Sequence, residues 1–150
     1  MAKFIYRMQS ILNIKEKLEE QAKLEFAQAR IRLTEEEERL AYLVDRKDSY
    51  ISKGQELQKD SLNVFDIMEN RDAITLMKEF IEEQKRAVAK AEKQLEEARL
   101  KLQNAMQESK THERLREKAF EEFVKEINAQ EAKEIDELTS YVYGQKEYSM

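Results

Sequence analysis

Chemistry needs side chains that trade protons, attack carbon or hold metals, and these 150 residues offer few in a usable arrangement. There is one histidine, His112, and no cysteine. A lone imidazole without a second ligand cluster cannot build a zinc-type site. Absence of Cys excludes Cys–His catalysis and any disulfide framework. Gly54 and Gly144 are the only glycines, so no Gly-rich loop can cradle a phosphate. Carboxylates abound, most densely in Glu35-Glu36-Glu37-Glu38, but such a run reads as the solvated face of a helix. Paired acids do acid–base work only where a concave pocket perturbs their pKa values. These features argue against an enzyme, a metal site or a bound cofactor.

The elements that position these residues are read from composition and period. There is no Pro, charged residues make up 39% and the hydrophobic set 41%. Almost nothing is present to break a helix, and the composition is that of a long helix or coiled coil. Ile67, Ile74, Ile81, Val88, Leu95 and Leu102 recur every seventh residue, each followed three later by Asn70, Met77, Gln84, Ala91, Ala98 and Ala105. A sustained seven-residue period on a 3.6-residue helix imposes a left-handed supercoil around a partner. In the first third, Phe4, Met8, Ile11, Leu12 and Leu18 lead into a second seam of Ala22, Phe26, Ala29, Leu33, Leu40, Leu43 and Tyr50. Glu36 and Lys47 place charge at two of its core positions.

Lys59-Asp60-Ser61-Leu62-Asn63 is the interior turn-like cluster, and Asn63 with Asp66 reads as a helix N-cap followed by a favourable first-turn acid. The predicted fold is all-α: a single two-helix antiparallel coiled-coil hairpin over 1–150. Helix 1 spans about 4–58, the loop about 59–62 and a longer, protruding helix 2 about 63–142. Folding about residues 60–61 aligns the seams: Leu43 with Met77, Leu40 with Ile81, Glu36 with Gln84, Leu33 with Val88, Ala29 with Ala91, Phe26 with Leu95 and Ala22 with Ala98. The Glu36–Gln84 polar layer would fix register at some cost in stability.

This pairing uses up the first helix when Phe4 reaches about Arg116. The apolar stripe nevertheless continues through Leu115, Ala119, Phe123 and Ile127 to Ile135, Leu138 and Val142, beside Phe120, Val124 and Tyr141. Its spacing shifts to fours, so it stops following the left-handed supercoil. An uncovered stripe of this length is an interaction site, and Gly144 is expected to end the pattern. No apolar run is long enough to span a bilayer or resemble a leader, which implies a soluble intracellular chain without direct membrane insertion. A net charge of −5 with both signs interspersed disfavours nucleic acid and anionic membrane surfaces as partners.

Phe4-Ile5-Tyr6-Arg7-Met8-Gln9-Ser10-Ile11-Leu12, then Glu19-Glu20-Gln21-Ala22 and Ala27-Gln28-Ala29, resemble the opening of the FliJ family, small coiled-coil proteins of bacterial flagellar protein export. Leu43-Val44-Asp45 with Tyr50, and Ile81-Glu82-Glu83-Gln84, are similar to its middle; Glu113-Arg114-Leu115-Arg116-Glu117-Lys118 and Glu134-Ile135-Asp136-Glu137 to its C-terminal part. The resemblance implies a stalk-like antiparallel coiled coil serving flagellum biogenesis and motility. Such a stalk is cytoplasmic, peripherally associated with the inner-membrane export apparatus. It docks in the export ATPase FliI hexamer, touches the export gate protein FlhA and assists export chaperones. Matching positions imply a gate-binding surface of Leu43, Tyr50, Met77 and Gln84, with Arg46 where the family carries a second aromatic. The uncovered stripe assigns ATPase binding to Leu115, Phe120, Phe123, Ile127, Ile135 and Leu138. The alternatives are the equivalent stalk of a virulence injectisome and a generic structural scaffold. A filament element, however, should keep one seam from end to end, without a break, unequal arms or a shift of spacing.

Overall fold

The structure, a computed structural model, describes residues 2–59 and 63–148. Of the expected loop at 59–62, residues 60–62 lie outside the described residues. The fold is all-α. Helix α1 runs Gln9–Lys59 (51 residues) and helix α2 runs Val64–Tyr148 (85 residues). The two pack against each other antiparallel, with no strand among the described residues.

The start of α2 follows from its cap. Asn63 Oδ1 accepts from the Phe65 backbone N–H at 3.1 Å, and the Asn63 carbonyl accepts from Ile67 N–H at 3.1 Å. Asp66 adds a first-turn acid against the positive end of the helix. Two ends depart from expectation. Helix α1 begins at Gln9, not about residue 4, with the Met8 carbonyl accepting from Ile11 and Leu12 N–H at 3.1 Å. Phe4 packs on α2 instead, and the chain turns into α1 where Gln9 N–H donates to Tyr6 O at 3.1 Å. Helix α2 continues to Tyr148, not about 142. Glycine costs a helix only about 1 kcal/mol relative to alanine, and neither glycine adopts the positive φ of a left-handed cap.

The helices form two compact units. One comprises Glu20–Asn104; the other comprises Met1–Glu19 with Ala105–Met150. In the first, Ala22, Ile81 and Ala91 are buried, and half-buried positions follow the three–four spacing of the seams along both helices. Small buried alanines permit close backbone approach, while burying an isoleucine such as Ile81 contributes about 1.5–3 kcal/mol. Gln84 is also buried. Its Nε2 donates to the Glu36 carbonyl at 2.9 Å and to the Glu36 carboxylate, so the predicted polar layer is hydrogen-bonded across the two helices. Asn70 Nδ2 donates to the Tyr50 carbonyl at 3.0 Å, and Lys101 pairs with Glu25 at 2.8 Å. Half-buried Gly54 lies so close to Asn70 that a Cβ there would meet Asn70 Oδ1 at 2.6 Å.

In the second unit, Leu12 and Ser109 are buried and His112 is a half-buried seam residue. Lys15 Nζ bridges to Glu108 at 2.9 Å, and Arg116 Nε donates to Gln9 Oε1 at 2.9 Å.

Candidate interaction surfaces

The Glu20–Asn104 unit brings three of the four expected gate residues together. Leu43, Met77 and Gln84 line one open groove of about 540 Å³, shared with Glu36, Arg39, Tyr42, Arg46, Phe80, Glu83 and Ala87. Tyr50 lines a neighbouring hollow with Lys53, Leu57 and Asn70, and joins the groove through Arg46. The four do not contribute alike. Gln84 is only 7% exposed and its amide is committed to Glu36, so it sets register and presents little surface. Leu43, Tyr50 and Met77 are half-buried. The groove's accessible apolar surface comes instead from Tyr42 and Phe80, which are 58% and 40% exposed. Both precede a seam residue by one position, so a search for seam residues passes over them; an aromatic beside an already complete stripe was the available signal.

Arg46 is held by the tyrosines on either side of it on α1. Its guanidinium donates to Tyr42 OH at 3.2 Å and Tyr50 OH at 2.9 Å, and lies 5.9 and 5.7 Å from their ring centroids. Those hydrogen bonds, Tyr42 first and Tyr50 second, raise its pKa above the usual guanidinium value. Position 46 thus carries a cation held against aromatic neighbours. This arrangement favours an acceptor or carboxylate on a partner.

The stripe in the other unit is only partly open. Phe120 and Phe123 are not without a partner from the N-terminal side of the chain. Phe4 meets Phe120 edge-on, with centroids 5.2 Å apart and planes at 76°, and meets Phe123 at 5.3 Å and 50°. Arg116 lies over the Phe4 ring at 5.6 Å. The sequence places Phe4 near Arg116 by treating it as helical, which gives the five residues from Gln9 back to Phe4 a reach of about 7–8 Å. A non-helical chain of that length reaches up to about 17 Å, which carries Phe4 further along α2. Ala119, Phe123 and Ile127 are half-buried at the four-residue spacing, and Leu115 is largely exposed. Ile135 and Leu138 are 62% and 64% exposed and form a shallow apolar hollow with Val142 and Tyr143. Tyr143, outside the expected stripe, extends it.

No group of three or more His, Cys, Asp or Glu that could hold a metal occurs among the described residues. Within those residues no helix is long and apolar enough to cross a membrane.

The family model described as "Flagellar FliJ protein" matches residues 4–148. The chain belongs to the FliJ family. This membership makes it a coiled-coil protein associated with type III export, in a family of structural export components. Among solved structures, a chain described as a YscO homologue, CT670 from Chlamydia trachomatis, is similar to this FliJ-family chain. Identity is 22% and the TM-score 0.74, with 99% of this chain and 100% of that chain covered; the likeness concerns the fold. No curated protein matches the chain.

Proposed function

We propose that this FliJ-family chain is a soluble, cytoplasmic stalk of the flagellar export apparatus. It engages the hexameric export ATPase through the α2 stripe and the export gate through the groove on the Glu20–Asn104 unit, and it assists export chaperones. The observation that carries this reading is the exposed stripe itself. Ile135, Leu138, Val142 and Tyr143 stand open to solvent on a helix that has no use for them in its own packing. Large apolar side chains clustered on one surface are expected to meet another protein. Burial of one such side chain stabilises a complex by about 1.5–3 kcal/mol, so a few of them supply most of a micromolar affinity after association costs. The family's flagellar description favours an export ATPase as that partner.

On the other unit, Tyr42, Phe80 and the Tyr-bound Arg46 suit a partner with an apolar ridge beside an acidic side chain. Both surfaces are open, without the enclosed pocket that acid–base chemistry favours, and suit the holding of partners. The test is binding of the full chain to the purified export ATPase by titration. Ile135→Asp with Leu138→Asp is expected to abolish binding and any stimulation of ring assembly, while raised salt weakens binding only modestly because apolar burial is not screened. Parent-like binding by the double variant would remove the stripe as the ring-binding element.

A further inference from the structure

We propose that residues 2–6 are a displaceable cover: Phe4 occupies the Phe120–Phe123 pair in the free chain and gives way when a partner buries the stripe. The inference rests on the reading of that stripe as the ATPase-binding element.

Three observations carry it. The segment Ala2–Tyr6 has no helical hydrogen bonds of its own; the first backbone bond holding it is Gln9 N–H to Tyr6 O. The ring contacts it makes with α2 are those of Phe4, and Tyr6 beside it is half-buried. Phe4 meets one ring edge-on and a second at a tilt, and lies under the Arg116 guanidinium, whereas the adjacent Ile5 is 77% exposed. Fixing a non-helical backbone stretch costs conformational entropy, which a single aromatic cluster offsets only narrowly, so the cover is held weakly. Finally, the covered rings belong to the stripe. Phe123 is half-buried beneath Phe4, and a partner surface cannot lie against Phe123 while Phe4 occupies its face.

A cover of this kind reduces the apparent affinity of the stripe by the fraction of chains in which it is open. It also shields aromatic surface before assembly, when that surface would otherwise favour self-association.

Two readouts on the full chain test it. In the free protein, Phe4→Ala is expected to raise the fluorescence of an added hydrophobic dye, anilinonaphthalene sulfonate, several-fold, with far-UV circular dichroism unchanged because residue 4 lies outside α1. Unchanged dye binding would overturn the cover. In titrations with purified export ATPase, Phe4→Ala is expected to bind roughly 3- to 10-fold more tightly, and Phe4→Trp, which keeps an aromatic cover, no more tightly than the parent. Weaker binding by Phe4→Ala would make Phe4 part of the docking surface, and equal binding would show that it is not in the way; either overturns the proposal. Absence of binding by the parent chain is a separate result: it removes the ring-binding reading and the displacement step with it.

Discussion

At Gly54 two opposing effects meet in one residue. Alanine there gains about 1 kcal/mol of helix propensity. Its Cβ would also sit 2.6 Å from Asn70 Oδ1, forcing Asn70 away from the Tyr50 carbonyl. A part-buried hydrogen bond of that kind contributes about 1 kcal/mol. Gly54→Ala alone is therefore expected to leave the thermal midpoint nearly unchanged, whereas Gly54→Ala in an Asn70→Ala background should exceed Asn70→Ala alone by about 1 kcal/mol. A second residue-scale effect concerns pH. Hydrogen bonds from Lys101 and Lys15 hold the Glu25 and Glu108 carboxyls below their ordinary value of 4.5. Carboxyls lowered in the folded state contribute fully above pH 4.5, and that contribution is lost as pH falls through the depressed values. Both pairs are exposed, so the effect is small and salt-sensitive. Melts at low ionic strength are expected to lose midpoint below pH 4.5, and Lys15→Met with Lys101→Met should flatten the loss.

The seams are the element-scale feature that was legible in the sequence. A side chain every three or four residues must return to one helix face, so the period marks the buried positions. The register was legible as well, because Glu36 and Gln84 are the polar pair that a fold about residues 60–61 brings together, and they are hydrogen-bonded. What the period could not give are contacts that do not repeat. Phe4 reaches α2 from a non-helical segment, and α2 passes Gly144 because one glycine is a small cost in so long a helix. Tyr42 and Phe80 were missed for a related reason: they flank the seam and carry surface, while the seam itself carries the packing. The antiparallel register gives a direct expectation, since the chain has no native Cys. Phe26→Cys with Leu95→Cys should form an intramolecular disulfide on oxidation, which needs Cα atoms within about 7 Å. Non-reducing electrophoresis showing only cross-linked dimers would mean that the seams pair between chains.

For the whole molecule, two surfaces differ in their chemistry. The groove combines exposed aromatics with a tyrosine-held arginine, so it should discriminate partners by charge as well as shape. The α2 stripe around Leu138 is almost purely apolar, so it should depend on contact area. The measurement that bears most directly on this division is site-specific photo-crosslinking in cells. A photoreactive amino acid is placed at Leu138 in one sample and at Phe80 in another, both exposed positions whose replacement leaves the seams intact. The expected result is export ATPase captured from position 138 and export gate from position 80, with neither position yielding the other's product. Capture of the same partner from both positions, or of the gate from 138, would contradict it.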